Sequence, residues 1–293
     1  MSGVVHFRGG ITTSGTATFP FTLPLGYRPP TDVYVPISLC GGFKGRLYIK
    51  PTGETEVQAE GGAWANAQCL SSLDGASFSQ GGLGATAIGL SNGWFGAPYA
   101  TRPVAVRNVA GMIRLEGALA GGAGPAAFVL PPGFRPPTKV YAPVDLCNAA
   151  KGRLDIAPTG DVTIQAEVDF ASAQCFTSLE GVSFAASSNG FSILFPTNGW
   201  TAAPFSTRTP AVMNIGGVVR FQGAMATTGT DPNALLLPEV MRPAANVYIP
   251  IDLCTAKKGR LVVQMDGRVF VESVAPWSQT RCFASLEGAS FGL

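Results

Sequence analysis

Leu23-Pro-Leu-Gly-Tyr-Arg28-Pro29 returns as Leu130-Pro-Pro-Gly-Phe-Arg135-Pro136 and again as Leu237-Pro-Glu-Val-Met-Arg242-Pro243, each time 107 residues further on. The same offset carries Val33-Tyr-Val-Pro-Ile-Ser-Leu-Cys40 onto Val140–Cys147 and Val247–Cys254, and Lys44-Gly-Arg-Leu47 onto Lys151–Leu154 and Lys258–Leu261. Each copy closes on one motif: Ser72-Leu-Asp-Gly-Ala-Ser-Phe78, Ser178-Leu-Glu-Gly-Val-Ser-Phe184 and Ser285-Leu-Glu-Gly-Ala-Ser-Phe291. Self-similarity at a fixed period marks a repeat architecture. The chain is therefore a tandem triplication, with repeats at residues 1–78, 112–184 and 218–293. Connectors at 79–111 and 185–217 share Asn92-Gly-Trp94 with Asn198-Gly-Trp200, and Thr101-Arg102 with Thr207-Arg208. No Asn-Gly-Trp segment stands before repeat one within the sequence. If that segment packs on the repeat that follows it, another chain or an assembly is expected to take its place on repeat one.

Composition narrows the fold. Of 293 residues, 37 are Gly and 23 are Pro, so about one in five disfavours helix. Apolar residues make up 46% and charged residues 13%. That is too apolar for disorder and carries about half the usual charge of a soluble domain. Within each repeat, alternating apolar segments are separated by turn residues. Gly45–Lys50, the turn Pro51-Thr-Gly53-Glu, and Thr55–Ala59 read as a β-hairpin whose equivalents turn at Gly160 and Gly267. Tyr27-Arg-Pro-Pro reads as a bend. The expectation is an all-β chain of three small antiparallel sandwich-like or prism-like domains, arranged about a pseudo-threefold axis.

Each repeat carries one cysteine pair: Cys40 with Cys69, Cys147 with Cys175, and Cys254 with Cys282. A disulfide in each would close a loop of about 30 residues and add roughly 3 kcal/mol; buried free thiols are the alternative. An aromatic precedes the second cysteine by five residues in every repeat: Trp64, Phe170 and Trp277. These rings are candidates for stacking on a sugar, or for packing into the core. Arg28, Arg135 and Arg242 recur alongside Asp74, Glu180 and Glu287, and are expected to pin the closing strand to the bend as guanidinium–carboxylate pairs. Arg46, Arg153 and Arg260 are candidates for the same role.

Twenty basic and eighteen acidic residues give a net charge of +2 with no basic block, which argues against binding nucleic acid. No apolar run is long enough to span a bilayer, and residues 1–8 do not form a secretory leader. Gly82-x-Gly84-x-x-Ala87 lacks the acidic or Lys-Ser/Thr partner of a nucleotide loop and reads as a flexible stretch. The single histidine, His6, becomes Arg114 and Arg220 in the other repeats, so no His-based nucleophile recurs. No enzyme, metal site or cofactor is expected.

The order Asn92-Gly-Trp94, Met112–Gly117, Leu130–Pro136, Gly152–Leu154, Gly160 and Ser178–Phe184, repeated from Asn198 to Phe291, resembles the C-terminal domains of bacteriophage tail-fibre and minor tail proteins. The resemblance covers nearly the whole chain, through short motifs in a shared order. It implies an all-β, trimeric module at a fibre tip that contacts the host surface, with other virion proteins and host cell-surface glycan as partners. It also implies synthesis in the host cytoplasm and release on lysis. Three repeats in one chain, and a cysteine pair in each, depart from that pattern. A capsid decoration or fibre-cap protein and a secreted, trivalent lectin-like adhesin are the alternatives.

Overall fold

The computed structural model describes residues 3–81 and 84–293; Gly82 and Leu83, where the Gly82–Ala87 stretch begins, lie outside the described residues. The chain is all-β, with antiparallel sheets and only short helices. In each repeat a three-strand meander forms the main sheet. In repeat one Val33–Leu39 pairs with Lys44–Ile49, which pairs with Thr55–Ala59. Alternation places Val33, Val35, Ile37, Leu39, Leu47 and Ile49 on one buried face. Repeats two and three build the same meander from Val140–Leu146, Lys151–Ile156 and Asp161–Ala166, and from Val247–Asp252, Lys258–Val263 and Arg268–Glu272. Each repeat has its own apolar core.

The recurring bend and the recurring turn glycine belong together. Leu23 N–H donates to the Gly53 carbonyl at 2.7 Å, and Arg28 Nε donates to the Leu23 carbonyl at 2.9 Å. Gly53 has φ +89°, and a Cβ there would meet Arg28 Nε at 2.6 Å. Only glycine leaves room for the guanidinium and tolerates that backbone. Gly160 with Arg135 and Gly267 with Arg242 repeat the arrangement.

The segments 79–111 and 185–217 are built into the repeats that follow them. Ala105–Val109 forms a hairpin with Met112–Glu116, and Trp94–Gly96 adds to the edge of Ala118–Gly121. Ile88, Trp94, Val104 and Val106 lie in the core of repeat two, as Leu194, Trp200 and Val212 lie in that of repeat three. In repeat one, the short strand Gly10–Ile11 is the last strand of its sheet.

The repeats touch pairwise. Strands Val33–Leu39, Val140–Leu146 and Val247–Asp252 each pack against the other two. Pro36, Pro143 and Pro250 sit mid-strand beyond the reach of the neighbouring two-residue strands, where a missing N–H costs no ladder bond. Lys44 of repeat one is paired with Asp145 of repeat two and also donates to the carbonyls of Ala149 (2.7 Å) and Ala150 (3.0 Å). Arg46 Nη1 meets the same carboxylate at 3.0 Å. Lys151 and Arg153 of repeat two hold Asp252 of repeat three in the same way. At the third junction Ser38 occupies the place of those aspartates, and Lys258 pairs instead with Glu60 and Glu167.

Asp145 and Asp252 are fully buried. Burial pulls the Lys44 and Lys151 ammonium groups down from their ordinary value, opposed by the adjacent aspartates. Removing one partner of such a pair strands the other charge, at a typical cost of about 3–5 kcal/mol, whereas apolar replacement of both is often nearly neutral. Asp145→Asn is therefore expected to lower the urea midpoint sharply, and Lys44→Met with Arg46→Met and Asp145→Leu, which removes the carboxylate together with both of its cations, to recover most of the loss. Glu54→Ala, which breaks the exposed Lys50–Glu54 pair, should leave the midpoint unchanged.

Candidate functional site

Two clefts of the same construction open at the junctions between repeats. The first, about 200 Å3, is lined by Tyr34 and Arg46 of repeat one, Tyr99 of the intervening segment, and Cys147, Asn148 and Phe176 of repeat two. The second, about 240 Å3, is lined by Tyr141 and Arg153, then Phe205, then Cys254, Thr255, Cys282 and Phe283. Every lining residue of the first has its counterpart in the second.

The backbone explains the placement. Tyr34 follows the first core residue of its strand and so points to the opposite face. Arg46, directly across the hairpin from Pro36, lays its guanidinium 4.8 Å from the Tyr34 ring centroid. Phe176 meets Tyr34 edge-on at 5.0 Å and Tyr99 edge-on at 5.7 Å. Arg153 lies 4.6 Å from Tyr141, and Phe283 meets Tyr141 at 5.0 Å and Phe205 at 5.7 Å. Ser178 Oγ donates to the Tyr34 carbonyl, and Ser285 Oγ to that of Tyr141, both at 2.6 Å, so each cleft is sewn across its junction.

Tyr99 and Phe205 are each 61% exposed, with left-handed φ of +52° and +56°. A bulky residue held in that region is strained, and such strain gathers at binding sites. The turn is fixed by Thr101 and Thr207, whose hydroxyls donate to the carbonyls of Pro98 and Pro204 at 2.5 Å. Burial and nearby Asp32 raise the Tyr34 phenol above its ordinary value, and Tyr48, which donates to Asp32 at 2.8 Å, is pushed up as well. Both rings present uncharged faces near neutral pH.

The third junction repeats part of the set. Arg260 lies 4.7 Å from the Tyr248 ring and donates to the Leu39 carbonyl at 3.1 Å. Leu70 stands where Phe176 and Phe283 stand in the other repeats, and Gly41 where Asn148 and Thr255 do.

All six cysteines are bonded as Cys40–Cys69, Cys147–Cys175 and Cys254–Cys282. Two of these disulfides border the clefts. Trp64, Phe170 and Trp277 open the short helices Trp64–Cys69, Phe170–Cys175 and Trp277–Arg281. They are half-buried against their own cores and lie outside both clefts. Phe170 meets Trp94 edge-on at 6.0 Å, and Trp277 meets Trp200 at 6.2 Å.

The expected pairing of Arg28, Arg135 and Arg242 with Asp74, Glu180 and Glu287 does not form. Those arginines are spent on carbonyls of their own bends. Asp74, Glu180 and Glu287 instead accept from the N–H of Gly9, Gly117 and Gly223, which have φ between +84° and +91°. The guanidinium partners of the two glutamates are Arg102 and Arg208, from the recurring Thr-Arg pair. Arg46 and Arg153 make inter-repeat ion pairs, and Arg260 pairs with Glu272 of its own hairpin.

Sequence reasoning passed over Tyr99 and Phe205. Their signal was the recurrence Ala97-Pro98-Tyr99 and Ala203-Pro204-Phe205 ahead of the shared Thr-Arg. Among the described residues, no group of three or more His, Cys, Asp or Glu is placed to hold a metal. No protein-family model, no curated protein and no solved structure matches the chain.

Proposed function

We propose that the chain is a non-enzymatic virion component, a tail-fibre or spike head whose three repeats act as one pseudo-threefold unit in host-surface attachment. Its ligand is a cell-surface glycan, received at the two junction clefts. The observation that carries this reading is the duplicated aromatic cleft with a strained, solvent-facing ring at its lip. An uncharged aromatic face offers the apolar side of a sugar ring a rigid platform, and neighbouring polar groups and backbone supply hydrogen bonds. Two equivalent sites on one chain provide avidity on a surface that presents many copies of the ligand. The disulfides suit exposure to an oxidising exterior, reached on lysis.

A second reading, an assembly cap, draws support from repeat one, whose sheet ends on the two-residue strand Gly10–Ile11 beside a cleft lined by both apolar and hydroxyl side chains. The two readings separate by location and by variant. Immunogold label on fibre or tail tips supports attachment; label over the capsid supports the cap.

Tyr99→Ala or Phe205→Ala alone is expected to weaken adsorption to host cells or isolated surface polysaccharide about tenfold, the weight of one aromatic contact. The double variant should lose most binding, with an unchanged melting temperature. Trp64→Ala and Trp277→Ala should lower stability before they touch adsorption. Full adsorption by the Tyr99→Ala, Phe205→Ala chain would sink the cleft assignment.

A further inference from the structure

Repeats two and three show, inside one chain, how a particular site is filled. In repeat two the strand Trp94–Gly96 adds to the edge strand Ala118–Gly121, and Trp94 inserts its indole so that Nε1 donates to the Gly124 carbonyl at 2.9 Å. Asn92 Nδ2 donates to the Ala126 carbonyl at 2.9 Å, and Ser91 N–H to that of Ala127 at 2.9 Å. In repeat three Trp200–Ala202 adds to Ala224–Thr227, with Trp200 Nε1 on the Asp231 carbonyl, Asn198 Nδ2 on that of Asn233, and Thr197 N–H on that of Ala234, all at 2.8 Å. The equivalent place on repeat one is a cleft of about 300 Å3 beside the edge strand Gly10–Ile11, lined by Ile11, Thr12, Thr13, Ala17, Phe19 and Trp64. Trp64 stands where Phe170 and Trp277 meet the inserted indoles. The carbonyl positions fall on Ala17, Phe19 and Pro20, each 107 residues before its counterpart in repeat two. Proline loses an N–H but keeps the carbonyl that this contact uses.

We infer that this cleft of repeat one receives an extended segment of Asn-Gly-Trp type from a separate polypeptide, adding as a strand to Gly10–Ile11 and seating its indole against Trp64. Strand addition gives the affinity and the indole pocket the specificity. A second copy of this chain is the poorer donor. Its own Trp94 and Trp200 are 5% and 4% exposed within their cores and would have to leave them. The inference goes beyond the glycan reading, and peptide binding and cell adsorption fail separately.

The test is a fluorescein-labelled peptide of residues 88–99 titrated into the intact chain. One peptide should bind per chain, saturably. A peptide with Trp94→Ala should bind about tenfold or more weaker. Thr12→Pro in the chain, which removes the N–H at the position equivalent to the partner of Phe95, should weaken the native peptide to the same degree while the melting temperature holds. No saturation by about 1 mM, indifference to the indole, or more than one peptide per chain would overturn the assignment. A chain dimer in sedimentation that the peptide dissolves would make a second copy the occupant and overturn the separate donor.

A different set of residues carries a second inference. His6, Arg114 and Arg220 hold equivalent positions on Val4–His6, Met112–Glu116 and Val218–Gln222, opposite Ser77, Ser183 and Ser290. They converge: Arg220 Nη2 lies 3.1 Å from His6 Nε2, and Arg114 Nη2 reaches Ser77 Oγ of repeat one at 2.9 Å. Arg114 is 2% exposed, yet its Nε and Nη1, like Nε of Arg220, have no partner among the described residues. The carboxylates nearby are engaged elsewhere. Glu116 pairs with Arg102 and Arg107, Glu180 with Arg102, and Glu287 with Arg208. Asp74 is bound to Gly9, with Arg8 as its nearby cation. Where repeat two has Glu116, repeat three has Gln222. Neither buried guanidinium thus has a carboxylate in contact: Glu180 and Glu116 act on Arg114 only from a distance, and the unpartnered donors of Arg114 and Arg220 are left for an anion to complete.

The geometry points to a small inorganic anion bound between Arg114 and Arg220. Burial and the two guanidinium charges lower His6 to about 3, so its imidazole is neutral and the arginines alone supply positive charge at neutral pH. Burial likewise brings both arginines down to about 10.

Thermal unfolding of the full chain at fixed ionic strength should show a saturable rise in melting temperature with chloride, bromide, sulfate or phosphate relative to gluconate, and Arg220→Met should abolish it. Bromide-soaked crystals should show an anomalous peak between the two guanidinium groups, a readout that stands even where the variant does not fold. Displacement of that peak by sulfate or phosphate, against displacement by chloride alone, separates an oxyanion site from a halide site. Equal melting in gluconate and in all four ions, an unchanged rise in the variant, or an absent peak would overturn the site.

Discussion

Asp145 and Asp252 have lost all contact with water at the faces where one repeat meets the next. A carboxylate taken from water is expensive, and each is offset by a lysine ammonium and an arginine guanidinium from the preceding repeat. Lys44 spends its remaining donors on two carbonyls of the Cys147–Ala150 turn, so the ion pair fixes a backbone as well as a side chain. The same Arg46 stacks on Tyr34 and the same turn carries Asn148. The junction charge thereby sets the cleft: moving the carboxylate would move the aromatic wall beside it. The ion pairs fix which face of one repeat meets the next, while the mutual packing of Val33–Leu39, Val140–Leu146 and Val247–Asp252 holds the three small cores together.

One chain with three repeats can do what three identical chains cannot, namely let its junctions differ. Ser38 replaces the aspartate at the third junction, and Glu60 and Glu167, reaching from the hairpin ends, take up Lys258. Leu70 replaces the phenylalanine there. Two junctions keep a complete aromatic cleft, while repeat one keeps an edge strand beside an open groove. Within the proposed role, this divides the labour between surface recognition at two junctions and docking at repeat one.

The segments between repeats connect stability with the proposed recognition. A single stretch plugs the following core with Trp94 or Trp200, ties down the closing glutamate with Arg102 or Arg208, and raises Tyr99 or Phe205 at the lip of the cleft. The strained backbone at the lip is affordable because the anchors on either side of it are buried.

The sequence by itself determined the triplication, the β class, the meander hairpins and the cysteine pairs, since all of these are local or repeat at a constant offset. A turn glycine, a two-residue period and a paired cysteine each declare themselves within one repeat. The partners of charged residues were another matter. Arg28 recurs with Glu180 only because both recur. Arg102 finds Glu180 through a fold that brings residues 78 positions apart into contact, and Arg28 is claimed first by a carbonyl five residues away. The clefts escaped for the same reason: Tyr34, Tyr99 and Phe176 belong to three stretches that no local pattern relates. Recurrence shows that a residue answers a shared demand; which neighbour makes the demand is set by packing between repeats, and tertiary structure alone decided it.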